Sequence, residues 1–312
     1  MKRSKPVQIS VVIPFRDKER ALTRTLDSVK RVLSLGVISE VIVVVDGIKV
    51  TNAIKSTYEF CEFIVISGKN GAERARNIGS QKAKSDWLLF IDADMKFEPS
   101  TLMNALPCLD SYDYIAFKCK VEERETENFM VKYFTERAFN FESHFKNKHY
   151  GGAGFLLVRK QIYLELMNTR YLLYSGEDNL FGKKVYKKGY KMTFCSKETV
   201  WHSPKSLRSH IFGKIRKIAY SDFLSFLYPS LYPPSQSPIY IFFKSMKNII
   251  YFLVKPYKLK YNYKHDFFEA FAIMLINQVI FAMAAIRRAM LIRKFKLFKI
   301  FKNSKSKLEL YD

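Results

Sequence analysis

The chain has 312 residues, a formal net charge of +24 and 48% hydrophobic residues, with 15% of the total aromatic. That apolar content excludes intrinsic disorder, because such a chain buries enough surface to offset its ordering entropy, and 12 Gly with 10 Pro exclude collagen-like and low-complexity classes. One core serves roughly 250–300 residues, so a large domain with an appendage is predicted, and the charge predicts a polyanionic partner: nucleic acid, an anionic membrane face or a phosphorylated substrate.

Met1 to Pro6 is basic, and the apolar run from Ile9 to Ile13, broken by Pro14 and Arg16, is too short for a secretion signal. Val7 to Ile13 reads as a strand, followed by a helical pattern from Asp17 to Leu35 that Gly36 closes. Val41 to Val45 is almost wholly β-branched, as a strand buried on both faces requires. Phe63 to Ile66 is a third strand, Ala72 to Ala83 a helix and Trp87 to Ile91 a fourth strand. This alternation predicts an α/β domain with a mainly parallel sheet and a ligand crevice beyond the strands' carboxyl ends. The four cysteines, Cys61, Cys108, Cys119 and Cys195, form no CxxC pair and suit buried thiols in a reducing compartment.

Charged residues collect at those carboxyl ends. The first strand runs into Pro14-Phe15-Arg16-Asp17, the second into Asp46-Gly47 and the fourth into Asp92-Ala93-Asp94. In an extended segment the period of two points both carboxylates of Asp92 and Asp94 the same way, or lets one face a divalent ion while the other meets a sugar. An acidic turn has the same composition, so the pattern alone leaves both readings open. Asn70 to Gly79 opens a helix with Arg74 and Arg76 near its N-terminus, as an anion site or a solvated basic face would. Tyr150-Gly151-Gly152-Ala153-Gly154-Phe155 brings backbone close to a ligand or makes an ordinary turn before the strand Phe155 to Val158. Glu177 and Asp178 precede a helical pattern that reaches Gly189, where either can serve as an N-terminal cap. His202, beside Trp201, is a metal ligand or a structural histidine.

In order, these segments resemble the family-2 glycosyltransferases of the GT-A fold, with an added likeness to the beta-1,4-galactosyltransferase type of catalytic region. The resemblance runs from Val7 to Pro204 and rests on Val11 to Arg16, Val45-Asp46-Gly47, Arg76 to Gly79 before Leu88 to Asp94, the Gly-Gly-Ala-Gly strand, Gly176-Glu177-Asp178 and the following His202. It implies that Pro14, Phe15, Arg16 and Asp46 line the nucleotide pocket, with Arg16 and Arg76 near the diphosphate and Asp92 approaching the ribose and metal region. It implies further that Asp94 and His202 hold a Mn2+ or Mg2+ ion, that Gly151 and Gly152 line the donor–acceptor junction, and that Asp178 is the general base with Glu177 holding the acceptor. UDP-sugars are the expected donors, and the acceptor loop is expected within Lys120 to His149. Gly47-Ile48 stands where many members carry Asp and Ser, and no Gln-x-x-Arg-Trp motif of processive synthases occurs near Trp201, which favours transfer of one sugar per encounter.

The charge divides the chain. Residues 1–200 carry 33 Lys+Arg and 24 Asp+Glu, whereas residues 201–312 carry 20 and 5, and the texture shifts near 203 to long helical patterns with a Pro-rich hinge at Tyr228 to Pro238. A catalytic domain over 1–205 and a helical basic, apolar extension over 206–312 are therefore expected. Ile239 to Lys255 reads as an amphipathic helix, and Ala270 to Ile286 is an uncharged stretch of 17 residues, near the lower limit for a bilayer core of about 30 Å. Interfacial, buried and spanning placements stay open. Leu291 to Lys302 interleaves apolar residues with Arg and Lys, as a helix lying on anionic lipid does. The expected partners are a nucleotide-sugar donor, a glycan or lipid-linked saccharide acceptor and an anionic membrane. A cytoplasmic protein, peripheral or monotopic at the cytoplasmic membrane face, would meet all three; a soluble helical cap with a solvated basic face is the plainer reading. A basic nucleic-acid-binding protein is the alternative, with no RRM, KH, helix-turn-helix or zinc-finger signature behind it.

Overall fold

The β-branched and aliphatic runs form the middle of one eight-stranded sheet in a computed structural model, which describes residues 7–17, 19–47, 50–67, 71–122, 145, 154–167 and 177–203, with separate positions between 208 and 219 and between 275 and 293. In chain order the elements are β1 (Ile9–Phe15), α1 (Glu19–Leu33), β2 (Ile38–Asp46), α2 (Asn52–Thr57), β3 (Cys61–Ile66), α3 (Ala72–Lys82), β4 (Trp87–Ile91), β5 (Met95–Lys96) and α4 (Pro99–Met103). A 3-10 turn at Leu106–Asp110 leads to β6 (Tyr114–Val121), and β7 (Phe155–Arg159), α5 (Lys160–Met167), α6 (Glu177–Lys187) and β8 (Met192–His202) follow.

The sheet order is β3-β2-β1-β4-β7-β6-β8-β5. β3, β2, β1 and β4 are mutually parallel, as are β6 and β8, while β7 runs antiparallel to both β4 and β6. The order reverses between β1 and β4, so the switch-point crevice opens beside their carboxyl ends. Side-chain alternation along β1 splits the core into two layers. Ile9, Val11, Ile13 and Phe15 pack with Leu22, Leu26, Val29 and Val32 of α1, whereas Val12 packs with Ala75 of α3 on the other face, the layer that also holds Tyr163 of α5 and Phe181 of α6.

Local chemistry fixes the helix ends. Glu19 lies in the first turn of α1 and Lys30 and Arg31 in its last, each opposing the helix dipole, and Gly36, at φ 67, takes the left-handed turn that ends it. Gly79 brings α3 onto the sheet: a Cβ there would overlap the Val12 side chain. The chain divides into two units, Met1–Glu127 with Lys132–Lys205 and Asn128–Val131 with Ser206–Asp312. The second contains buried Ile280 and Ala284. Among the described residues no helix is long and apolar enough to cross a membrane. The predicted helix over Ile239 to Lys255 lies outside the described residues, as does most of the segment after Leu291.

Candidate active site

Because β1, β2 and β4 are parallel, Pro14, Asp46 and Asp92 come to the same edge of the sheet. Pro14 is half-buried and, two residues from Val12, shares the α3 face. The ring of Phe15 points the other way into the α1 layer, 2% exposed, so its bulk supports the crevice floor from within the core rather than lining the opening. Arg16, just past the strand, is exposed. Asp46 is buried and its Oδ2 accepts a hydrogen bond from the Gly71 N–H at 2.8 Å, which sets a carboxylate against the N-terminus of α3. Gly71 has φ 88, a conformation that a side chain would strain.

One turn into α3, Arg76 joins two carboxylates that lie far apart in sequence. Its Nη2 donates to Asp92 Oδ1 at 2.6 Å and its Nη1 to Glu177 Oε1 at 3.2 Å, with 5% of the Arg76 side chain exposed against 33% for Asp92 and 17% for Glu177. Burial disfavours the guanidinium charge, but Asp92 and Glu177 more than offset that and push the Arg76 pKa above its ordinary value. Burial also pushes the Glu177 carboxyl up, to about 7, helped by the adjacent Asp178 and opposed by Arg76. Glu177 is thus a carboxylic acid that holds its proton close to neutrality. The neighbouring Tyr163 phenol is driven well above its usual range, chiefly by burial. Asp178 is half-buried in the first turn of α6, its Oδ1 accepting from the Asn179 N–H at 2.8 Å.

Asp92 is held from a second side. Its N–H donates to the Gly154 carbonyl at 2.7 Å, and a Cβ at Gly154 would lie 2.9 Å from Asp92 Oδ2 and 2.6 Å from Met95 Cε. Gly154 therefore makes room for the carboxylate. Its position immediately before an apolar strand is the signal that marks it; the resemblance includes it in the Gly-Gly-Ala-Gly segment but gives a role only to Gly151 and Gly152. Gly151, Gly152 and nearly all of the expected acceptor loop lie outside the described residues.

Asp94 meets His202 because β5 and β8 pair antiparallel with Met95 opposite His202. His202 Nε2 stands 3.1 Å from Asp94 Oδ1, its Nδ1 lies 2.6 Å from the Ser203 carbonyl, and the Ser203 N–H donates to the Asp94 carbonyl at 2.9 Å. Ser203 thus braces both residues. A carbonyl only accepts, so Nδ1 donates to Ser203 and Nε2 is the ring nitrogen that faces the Asp94 carboxylate. The 3.1 Å between this nitrogen and the Asp94 oxygen matches adjacent ligands of an octahedral ion, which at about 2.1 Å each are about 3 Å apart. Oxygen and imidazole donors at this spacing fit Mn2+ or Mg2+. Among the described residues no group of three His, Cys, Asp or Glu side chains gathers for a metal.

The structure therefore brings together Arg76, Asp92 and Glu177, and separately Asp94 and His202. The family model for glycosyl transferase family 2 matches residues 10–166. Over 204 residues the chain is 26% identical to an uncharacterized glycosyltransferase of Haemophilus influenzae, a match covering 61% of this chain and 69% of that protein. The fold is similar to that of a mycobacterial protein, with a TM-score of 0.52 and 16% identity over 70% of this chain and 74% of the other. It is also similar to that of GalNAc-T7, crystallised with UDP, GalNAc and Mn2+, with a TM-score of 0.50 and 17% identity over 64% of this chain. That match spans 44% of the GalNAc-T7 chain.

Proposed function

The chain belongs to glycosyl transferase family 2, whose members use nucleotide-sugar donors, and on that premise we propose that it moves one sugar from a UDP-sugar to a hydroxyl of a glycan or lipid-linked saccharide by metal-dependent inverting displacement. The observation that carries this reading is a pair of close contacts at and just beyond the carboxyl end of β4, Asp92 and Glu177 bridged by Arg76 and Asp94 meeting His202 directly. The Mn2+ in the GalNAc-T7 crystal structure favours the same ion here.

Asp94 and His202 would hold the divalent ion, which when bound supplies positive charge to the diphosphate as it leaves. Asp46 and Pro14 would border the nucleotide, Arg16 would face its phosphates, and Asp92 would take the ribose side. Gly151 and Gly152 are assigned to the donor–acceptor junction. Glu177, protonated near neutrality, can donate a hydrogen bond to the acceptor, leaving Asp178 to remove the acceptor proton as the new bond forms. Direct attack opposite the leaving group inverts the anomeric centre. A thermal-shift screen of sugar nucleotides with Mn2+ or Mg2+, followed by UDP-release assays, tests the reading; no stabilisation by any UDP-sugar, or turnover undiminished by a chelator, would count against it.

The second unit is assigned to peripheral attachment at the cytoplasmic face of an anionic membrane. Leu275, Val279, Met283, Ile286 and Met290 are exposed at helical spacing, while Ile280 and Ala284 on the same stretch are buried and Arg287 and Arg293 are exposed beside the stripe. Attachment there would bring a lipid-linked acceptor to the enzyme's surface. Sedimentation of the full chain with phosphatidylglycerol vesicles should exceed that with neutral vesicles and weaken with salt; equal recovery from both would remove the assignment. The nucleic-acid alternative gains nothing from the family match.

A further inference from the structure

Arg76 is expected near the diphosphate by resemblance, yet its guanidinium is buried and both terminal nitrogens are engaged by carboxylates. Among the described residues the charged and titratable groups facing Glu177 are Asp178 on its own helix, Glu73 and Arg76 from α3 and the Tyr163 phenol from α5, of which Arg76 is the cation. The backbone of Arg76 is itself fixed, its carbonyl accepting from Ser80 Oγ at 2.7 Å inside α3. The planar fork of an arginine spans two carboxylates at once, which the point charge of a lysine does not.

We propose that Arg76 is a positioning residue whose buried guanidinium locks Asp92, at the end of β4, to Glu177, at the start of α6, holding the donor and acceptor sides of the site at one spacing without touching the diphosphate. The roles of donor and acceptor rest on the glycosyltransferase reading; the lock itself does not. Two carboxyl groups that share one buried guanidinium form a cooperative unit. Loss of one carboxylate leaves the guanidinium still partnered, whereas loss of both strands it in a dry site.

Two measurements on the full-length protein separate the possibilities. In the first, Arg76→Lys is compared with wild type for UDP affinity by calorimetry in Mn2+ and for kcat and KM in transfer. A positioning role predicts UDP affinity within about twofold of wild type and kcat lower by about tenfold or more. UDP affinity lower by about tenfold, with kcat at saturating donor unchanged, would instead make Arg76 a diphosphate ligand and overturn the proposal. In the second, which leaves Arg76 intact and needs no substrate, thermal midpoints are measured for Asp92→Asn, Glu177→Gln and the double variant. The double variant should lose more than the two single changes together, and additive changes would overturn the lock even if Arg76→Lys fails to fold. Wild-type protein that binds no sugar nucleotide would overturn the glycosyltransferase reading while leaving this cycle interpretable.

Discussion

Replacing Gly154 by alanine adds one methyl group where β7 enters the sheet. The backbone at Gly154 is not left-handed, so the change acts through space alone. The new Cβ would stand 2.6 Å from Met95 Cε and 2.9 Å from Asp92 Oδ2. Met95 can give way, because the contact is with the end of a flexible thioether. The Asp92 carboxylate has less freedom, with its other oxygen 2.6 Å from Arg76 Nη2 and its own N–H bonded to the Gly154 carbonyl. Reaching ordinary contact requires a retreat of about 0.5 Å, and crowding of this kind costs about 1–3 kcal/mol. With Met95 yielding, the lower half of that range applies, a fall of about 3–6 °C in thermal midpoint for a unit of this size. A misplacement of about 1 Å costs about a hundredfold in rate, so a few tenths predicts kcat lower by about three- to tenfold. UDP release at saturating donor and thermal unfolding of the same preparation measure both. Wild-type kcat with an unchanged midpoint would show that Asp92 is not confined by Gly154, and the steric reasoning would fail.

Asp178→Asn should lower transfer by about three orders of magnitude or more while UDP affinity stays near wild type, because it removes the base but not the nucleotide contacts; near-normal turnover would move the base elsewhere. Asp94→Ala should abolish the part of UDP stabilisation that depends on Mn2+, and chelator should do the same to wild type; stabilisation indifferent to both would remove the metal role. Glu177→Gln tests the raised carboxyl. The folded chain holds this proton up to about pH 7 whereas an ordinary glutamate releases it near 4.5, so the folded state binds more protons between those values and loses stability as pH rises through them. The variant lacks that dependence and should gain on wild type between pH 5 and 8 by on the order of 3 kcal/mol at most; a stability difference flat across that range would show that Glu177 is not the buried acid described.

The parallel half of the sheet was legible because its chemistry is local. Val41 to Val45 has no polar residue to leave in water, and Trp87 to Ile91 is buried at every position, so continuous apolar runs mark both strands. β6 was harder to read, since Lys118 and Lys120 interrupt its apolar pattern, and β8 owes its extent to pairing with β6 and β5 rather than to composition. The site separates in the same way. Asp92, Asp94, Glu177, Asp178 and His202 are visible as motif residues, but their partners are set by register. Nothing near Arg76 in sequence announces two carboxylates, one reached through β4 and the other through α6. The burial of Phe15 was equally hidden, because Pro14 and Phe15 are adjacent in sequence and the pleat sends them to opposite layers.

The sense of β7 decides how the catalytic edge is built. β4 has the parallel β1 on one side and the antiparallel β7 on the other, so its carboxyl end is bordered by the end of one strand and the beginning of the next. Had β7 run parallel, Arg159 rather than Gly154 would stand near Asp92, bringing a second cation to a carboxylate already paired with Arg76. Running antiparallel, β7 enters the sheet at this edge on a glycine, whose carbonyl fixes the Asp92 backbone and whose missing side chain leaves room for the carboxylate. The same direction carries the chain away from the edge into α5, which returns beneath the sheet to place Tyr163 against Phe90 and close the apolar wall around Arg76 and Glu177. A strand sense that no periodicity encodes thus sets both the space around Asp92 and the burial of the guanidinium that pairs with it.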